Sequence, residues 1–213
     1  DLNHENLEAL EKGLPNLLQH VDNVKNVYGL PCVVAINRFP TDTEAELALI
    51  ESECQKLGVN VKLSEVWAKG GEGALELADE VMRLIEQPSE LKFAYEDGAD
   101  VADALEAVAT KVYRADGVDF TPAAKRQLAE LRENGFGNLP VCVAKTQYSF
   151  SDNAKVLGAP ENFRITVREL KVSAGAHFVV ALTGSVLTMP GLPKVPAAEN
   201  IDVDNDGNIT GLF

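Results

Sequence analysis

A chain of 213 residues with 33 acidic and 19 basic side chains carries a net charge of −14. Nucleic acids and anionic membranes are bound by cationic faces, so this composition argues against both as partners. The length allows one large domain, or one domain with a small appendage, and such a chain needs no disulfides to fold.

The N-terminal segment begins Asp-Leu-Asn-His without an initiator Met and enters a helical pattern at once, so we expect the sequence to be a piece of a longer protein. Leucines and valines at spacings of three and four between Leu7 and Val24 predict either one amphipathic helix or two that are separated by a break at residues 13–15, Gly-Leu-Pro. No apolar run of about 20 residues and no signal peptide is recognisable in the sequence, which favours the cytoplasm as the location.

A strand, a loop and a helix start follow each other between residues 33 and 46. The apolar run from Val33 to Ile36 predicts a buried strand, and Thr43 with Glu46 forms a capping box that predicts the start of a helix. Ligands of open α/β sheets bind beyond the carboxyl ends of the strands. The loop therefore holds four candidate ligand-binding residues: Asn37, Arg38, Phe39 and Asp42.

The next unit is a helix that Gly58 should end, followed by a strand predicted over residues 59–66. That strand leads into residues 67–73, Trp-Ala-Lys-Gly-Gly-Glu-Gly, and then into a helix that Pro88 ends. The predicted inner face of this helix consists of Ala74, Leu77, Val81 and Ile85. Residues 67–73 allow two interpretations, a glycine-rich phosphate cradle or a plain turn, and the absence of GxGxxG favours the turn.

Three more strands are predicted over residues 91–95, 118–120 and 139–144, and Thr121 with Pro122 should begin the helix before the last of them. Strands that alternate with helices of about a dozen residues predict an α/β fold with a largely parallel βαβ sheet. Right-handed crossovers would bring the carboxyl ends of the strands to one edge. Four segments should then surround one crevice: residues 37–39, 67–69, 96–97 and 145–149.

The pattern changes after about residue 160, where strands are predicted over residues 163–172 and 178–182. We therefore expect an α/β ligand-binding domain over residues 1–162 and a small β-rich C-terminal domain over residues 163–213, completed by sequence missing from this chain. The run Asp202-x-Asp204-x-Asp206-Gly207 resembles the start of a calcium loop, but position twelve is Phe213 instead of Glu, which favours an acidic turn between strands.

Two sets of side chains are candidates for ligand contact. Phe39 and Trp67 could sandwich a flat heterocycle, or both rings could fill the top of the core. Residues 145–149, Lys-Thr-Gln-Tyr-Ser, combine a cation, hydroxyls and an amide at a strand end, which suits phosphate or carboxylate recognition. The sequence has three cysteines, Cys32, Cys54 and Cys142. Their spacing matches no metal or redox motif, so we interpret them as reduced core thiols.

Five segments in order along the chain carry a resemblance to a known family: residues 35–43, 67–73, 143–149, 157–160 and 188–193. In sequence they are Ala-Ile-Asn-Arg-Phe-Pro-Thr-Asp-Thr, Trp-Ala-Lys-Gly-Gly-Glu-Gly, Val-Ala-Lys-Thr-Gln-Tyr-Ser, Leu-Gly-Ala-Pro and Thr-Met-Pro-Gly-Leu-Pro. Together they resemble formate–tetrahydrofolate ligase, and residues 196–213 resemble the C-terminus of that family. The resemblance extends over the whole chain.

The resemblance implies an enzyme that joins formate to tetrahydrofolate with ATP through formyl phosphate and releases 10-formyltetrahydrofolate. It implies a homotetramer that needs Mg²⁺ and is helped by a monovalent cation. Phe39 and Trp67 would correspond to the rings that clamp the pterin or purine, with Asn37, Arg38 and Asp42 as polar contacts. The nucleotide-binding candidates are Lys145, Gln147, Ser149, Ala159 and Pro160, the last two on the adenine side.

The chain departs from the family's pattern because the phosphate-binding loop GxxxxGK[ST] is absent from it. The resemblance places that loop in an N-terminal portion outside this sequence, so the chain alone is expected to be inactive. Three hypotheses stay open: the C-terminal part of a ligase, a truncated non-catalytic module that binds folate or nucleotide, and a doubly wound protein of unrelated chemistry.

Overall fold

The computed structural model describes residues 3–184, 186 and 194–211, and it has the predicted α/β class. The α-helices of this part are α1 (Leu7–Asp22), α2 (Glu44–Lys56), α3 (Val66–Lys69), α4 (Leu75–Ile85), α5 (Val101–Ala107) and α6 (Pro122–Glu133). The strands are β1 (Val34–Asn37), β2 (Val61–Ser64), β3 (Val118–Phe120), β4 (Val141–Ala144), β5 (Ile165–Ser173), β6 (Phe178–Thr183), β7 (Asp202–Val203) and β8 (Ile209–Thr210).

The first βαβ unit is confirmed. Strands β1 and β2 are parallel, with Val34 opposite Val61 and Asn37 opposite Ser64, and α2 connects them. The capping box at the start of α2 is complete, because the Thr43 hydroxyl accepts a hydrogen bond from the Glu46 amide while the Glu46 carboxylate accepts one from the Thr43 amide. The loop before α2 is therefore fixed at its helical end.

Replacing Thr43 with alanine should lower the free energy of unfolding by about 0.5–2 kcal/mol, because the Glu46 amide loses the Thr43 hydroxyl as its acceptor. Urea unfolding of the Thr43→Ala chain measures this. Thr41→Ala is the matched control, since Thr41 is exposed in the same loop and caps no helix. Equal midpoints for the two variants would contradict a stabilising role of the box.

The second sheet has four strands in the order β3-β5-β6-β4. β3 is parallel to β5, β5 is antiparallel to β6, and β6 is parallel to β4, so β3 and β4 run in opposite directions. Largely parallel pairing is confirmed, but the prediction that all carboxyl ends lie on one edge of one sheet is wrong. The β5–β6 hairpin inserts between the two earlier strands, and local sequence patterns do not reveal which strands pair.

The core lies beneath this four-stranded sheet, where α5 and α6 pack against its strands. Leu105 of α5 is 2% exposed, and Ile165 and Val179 of the sheet are 2% and 0% exposed. Strands from both sides of Asn162 contribute to this one core. The division into domains over residues 1–162 and 163–213 stays a prediction.

Two local predictions are wrong. Residues 91–95 form no strand, because single bonds hold the segment instead of a ladder: the Lys92 amide donates to the Tyr28 carbonyl at 2.9 Å and Lys111 Nζ donates to the Ala94 carbonyl at 2.7 Å. For the first segment, the alternative of two helices with a break at residues 13–15 is the wrong one, since α1 continues through Pro15. Burial of Leu14, one residue earlier, packs this part of α1 against the protein and offsets the hydrogen bond that proline cannot make.

The predicted inner face of α4 is wrong in its second half, whereas Ala74 and Leu77 are half-buried. Val81 is 42% and Ile85 is 63% exposed, whereas Glu80 is the residue that α4 buries. The Glu80 carboxylate accepts hydrogen bonds from Asn60 Nδ2 at 2.9 Å and from Arg83. This polar network joins α4 to the segment before β2.

The three cysteines are free but differ in burial. Cys54 is buried as predicted, Cys32 is half-buried, and Cys142 is exposed, so the core assignment is wrong for Cys142. Cys142 lies in β4, where side chains alternate between the two faces of the sheet, and it points away from the core. Burial raises the pKa of the Cys54 thiol.

The acidic run near the C-terminus forms the predicted tight turn between β7 and β8. The Asp204 carboxylate accepts hydrogen bonds from the Asp206 amide and from both the amide and side-chain nitrogens of Asn208. Phe213, position twelve of the calcium-loop interpretation, and residues 188–193 lie outside the described residues. Within the part of the chain that is described, no helix has the length and apolar content needed to cross a membrane.

Candidate ligand-binding site

The first loop (residues 37–43) begins where β1 ends and carries Phe39. The Arg38 amide continues the ladder by donating to the Ser64 carbonyl at 3.1 Å. Asp42 then closes the loop, because its Oδ2 accepts from the Phe39 amide at 2.8 Å and its own amide donates to the Phe39 carbonyl at 3.1 Å. This closed turn leaves the Phe39 ring 57% exposed.

The second loop (residues 65–73) begins where β2 ends and carries Trp67. It is not a plain turn, because α3 is followed by a 3₁₀-helix over Gly70–Ala74. The Glu65 amide donates to the Gly73 carbonyl at 2.9 Å, which closes the loop on itself. Lys69 Nζ lies 2.6 Å from Glu65 Oε2, and this hydrogen bond, with the nearby charge of Arg38, lowers the pKa of the Glu65 carboxyl.

A single hydrogen bond joins the two loops. Trp67 Nε1 donates to the Arg38 carbonyl at 2.8 Å, while the indole remains 60% exposed. Phe39 and Trp67 make no ring contact with each other within the described residues. The interpretation that both rings fill the top of the core is therefore wrong. Two exposed rings lie on adjacent loops, with the edge of one indole fixed and its faces accessible.

The polar residues predicted for this site lie around the two rings. Asn37 is exposed at the end of β1, opposite Ser64. The Arg38 guanidinium lies 2.7 Å from Glu44 Oε1, so it is oriented by the first turn of α2. Asp42 is already hydrogen-bonded within its loop. Of the polar candidates, Asn37 has the side chain most accessible to a ligand.

The second group of predicted residues follows β4. Lys145 Nζ is half-buried, donates to the Thr146 carbonyl at 2.7 Å and to the Ser149 carbonyl, and lies 5.2 Å from the centre of the Tyr113 ring. Burial lowers the pKa of Lys145, and Asp152 partly opposes this change. The Lys145 ammonium therefore holds the shape of its own loop, while Gln147 in the same loop is exposed.

An isolated parallel bridge between Ser149 and Gly158 brings this loop beside residues 157–160. Ser149 is buried, and its hydroxyl lies 3.1 Å from the Ser151 hydroxyl. Ala159 and Pro160 follow directly and are half-buried. All five nucleotide-binding candidates thus lie in two adjoining segments.

The two predicted groups belong to different sheets. Strands β1 and β2 lead to the ring-bearing loops, whereas β4 leads to Lys145. Within residues 3–184, no hydrogen bond or ion pair connects the first group to the second. A cavity of about 650 Å³ includes Asp97 of the predicted segment 96–97 but none of the ligand-binding candidates; its lining also includes Tyr28, Phe93, Tyr95 and Tyr113.

Some residues that shape the site were not predicted. Glu65 is one of them, although the sequence contains its signal: it forms an i, i+4 pair of opposite charge with Lys69 of the predicted segment 67–69. Tyr113 lies beneath Lys145, and the His20 and Phe150 rings are 4.5 Å apart beside them. Burial, and secondarily the charge of Lys145, lowers the pKa of His20. His20, Tyr113 and Lys145 are far apart in sequence, so no local pattern could indicate that they lie together.

Comparison with known protein families agrees with the resemblance carried by the five sequence segments. The model of one family, described as formate--tetrahydrofolate ligase, matches residues 1–213, the full length of the sequence. The match includes both ring-bearing loops and the two segments that contain the nucleotide-binding candidates. The chain belongs to the formate–tetrahydrofolate ligase family.

Proposed function

We propose that the chain is the C-terminal part of an ATP-dependent ligase that converts formate and tetrahydrofolate into 10-formyltetrahydrofolate. The observation that carries this proposal is the pair of exposed rings, Phe39 and Trp67, on loops joined by the bond from Trp67 Nε1 to the Arg38 carbonyl. Family membership supports the choice of formate and tetrahydrofolate as substrates.

The two rings clamp a flat heterocycle, either the pterin of tetrahydrofolate or the purine of ATP. Each stacked aromatic pair contributes about 0.5–1.5 kcal/mol of binding free energy beyond that from the apolar surface it buries. Because the indole N–H of Trp67 is bonded to the protein, the ring offers its face to the ligand. Asn37 contacts the polar edge of the heterocycle, while Arg38 and Asp42 hold the shape of the loop and border the site.

The adenine side of ATP lies along Ala159 and Pro160, with Lys145, Gln147 and Ser149 in the adjoining loop. The bridge between Ser149 and Gly158 supports this grouping. The printed sequence contains no GxxxxGK[ST], so the proposal assigns the triphosphate to the N-terminal portion of the enzyme. Among the described residues no group of three His, Cys, Asp or Glu side chains could hold a metal ion, so no magnesium ligand is assigned to them.

The reaction proceeds in two steps through formyl phosphate. A carboxylate oxygen of formate attacks the γ-phosphorus of ATP, and ADP leaves. The amine nitrogen of tetrahydrofolate then attacks the formyl carbon, loses a proton, and phosphate leaves. The role of this chain is to position the reacting amine by holding the heterocycle, since orientation alone contributes several kcal/mol to such reactions. We also infer a cytoplasmic homotetramer, helped by a monovalent cation, for the full-length enzyme.

A second candidate function is a truncated module that binds folate or nucleotide without turnover. Both accounts agree with a sequence that contains no GxxxxGK[ST]. Under both proposals the chain by itself forms no 10-formyltetrahydrofolate from formate, tetrahydrofolate and ATP. Formation of that product by this chain alone would contradict both. An upstream GxxxxGK[ST] in the parent reading frame favours the ligase, and a separate start codon favours the module.

Titration with tetrahydrofolate should quench the fluorescence of Trp67, the single tryptophan, in a saturable manner. The Phe39→Ala chain should bind about 3- to 10-fold more weakly, because one of the two stacking faces is lost. Trp67→Phe keeps a ring but removes the indole donor, and should bind with an intermediate affinity, measured by calorimetry. A parallel titration with ATP decides which heterocycle the rings hold.

The matched control is Phe93→Ala. Phe93 is 77% exposed and lies outside both ring-bearing loops, so its removal should leave tetrahydrofolate affinity unchanged. Circular dichroism verifies that every variant is folded. A folded wild-type chain that responds to neither tetrahydrofolate nor ATP would contradict a preformed clamp, and an equal loss in Phe93→Ala would contradict the assignment to Phe39.

A further inference from the structure

The second loop is closed by an unusually near approach of two backbone segments. A Cβ atom added to Gly73 would lie 2.5 Å from both the carbonyl carbon and the oxygen of Glu65, and 2.8 Å from the Val66 nitrogen. Real Cβ atoms do not approach backbone atoms this closely, so a side chain at position 73 would force the backbone at Gly73 away from the backbone at Glu65. Only glycine fits at this contact.

The same contact includes the hydrogen bond from the Glu65 amide to the Gly73 carbonyl, 2.9 Å long. Trp67 lies between these two residues in sequence and belongs to the four-residue helix that begins after Glu65. The closing contact therefore fixes the start of that helix. The Trp67 ring is fixed a second time, at its own edge, by the bond from Nε1 to the Arg38 carbonyl.

We propose that Gly73 is a positioning residue for the Trp67 ring. Its close packing on Glu65 sets the direction in which the indole leaves the second loop, and so sets the width of the gap into which the heterocycle fits. Gly73 acts through Trp67 and has no assigned contact with the ligand. The ligand part of this inference rests on the proposed function; the orientation of the ring does not.

Gly71 provides a matched control within the same loop. A Cβ atom at Gly71 would meet nothing within 4 Å, and its backbone has no positive φ. Alanine fits there without strain. The two glycines are two residues apart in the 3₁₀-helix over Gly70–Ala74, so Gly71→Ala and Gly73→Ala change the composition of the loop identically.

The test compares the two variants by three measurements. Gly73→Ala should shift the emission maximum of Trp67 and change its quenching by acrylamide by about twofold. By calorimetry, it should weaken tetrahydrofolate binding by about 3- to 10-fold, the loss expected when one of the two stacking faces is no longer aligned. The thermal midpoint should fall because the backbone clash opens the loop. The chain should still fold, since most residues of the loop are exposed. Gly71→Ala should match the wild-type chain in all three.

Wild-type emission and affinity in a folded Gly73→Ala chain would overturn the proposal, and so would an equal effect of Gly71→Ala. If the wild-type chain binds no tetrahydrofolate, the proposed function fails, and the emission and quenching of Trp67 alone decide the positioning role. If Gly73→Ala does not fold, amide exchange of the wild-type chain decides it. Slow exchange of the Glu65 amide supports the bond to the Gly73 carbonyl on which the proposal rests. Free exchange of that amide overturns the proposal.

Discussion

Replacing Leu105 with alanine is expected to lower the free energy of unfolding by about 2–5 kcal/mol. Leu105 is 2% exposed and lies in the core between α5, α6 and the four-stranded sheet. Truncation removes the transfer free energy of its buried methyl groups and leaves a cavity whose walls, including the buried strand residue Ile165, can relax only partly. Urea unfolding followed by circular dichroism measures the change.

The control for Leu105→Ala is Leu91→Ala. Leu91 is 53% exposed and lies in the segment that forms no strand, so its truncation should change the free energy of unfolding by no more than about 0.5 kcal/mol. A small loss in Leu105→Ala, comparable with that of Leu91→Ala, would mean that the four-stranded sheet is not packed on α5 as described.

Acid should remove the stabilising contribution of Glu80 only at very low pH. The hydrogen bond from Arg83, and next the one from Asn60, lowers the pKa of Glu80 from 4.5 to about 2. Because the folded-state pKa lies below the unfolded value, the contribution is complete above pH 4.5 and is lost as the pH falls toward 2. Glu80→Gln should therefore unfold at lower urea concentration than wild type at neutral pH, and the difference should narrow across this window.

Glu76→Gln on the same helix separates this effect from general loss of acidic charge. Glu76 is paired with Lys62 at 3.4 Å, but its side chain is 82% exposed, and such surface pairs contribute little to stability. Its urea midpoint should follow wild type at every pH. If the difference between wild type and Glu80→Gln stayed constant from neutral pH to pH 2, the carboxylate of Glu80 would not be held by Arg83.

Local signals in the sequence predicted individual elements well. The capping box at Thr43 and the N-cap at Thr121 with Pro122 both occur, because each is satisfied by bonds within four residues. The helix that begins at the capping box ends before Gly58, whose φ of +65° is readily adopted by glycine. β1 and β2 also occur close to their predicted positions. Such features depend on residues a few positions apart along the chain, so they can be recognised from the sequence alone.

Long-range pairing was predicted poorly. Residues 91–95 have the composition of a strand but pair with none, and the Tyr95 hydroxyl instead accepts a hydrogen bond from the Val141 amide of β4. The exposed apolar face of α4 and the exposed Cys142 likewise depend on which surfaces meet. Apolar periodicity indicates that a face is suited to burial, but it does not say whether a partner covers it.

The candidate site shows the same division. Asn37, Arg38, Phe39, Asp42 and Trp67 could be selected from sequence alone, because they follow two strands of one βαβ unit and carry the family resemblance. The bond between Trp67 and the Arg38 carbonyl, and the contact of Gly73 with Glu65, could not.

The sequence by itself determined the α/β class and the capped helices, since these depend on composition or on short-range spacing, and its five motif segments indicated the family. Tertiary structure decided the rest: two sheets in place of one, opposite directions for β3 and β4, and the backbone contact that holds Trp67. The physical reason is that strand pairing and close backbone approach join residues that are distant along the chain. The free energy of these contacts depends on the complete fold, so it cannot be inferred from any local segment of the sequence.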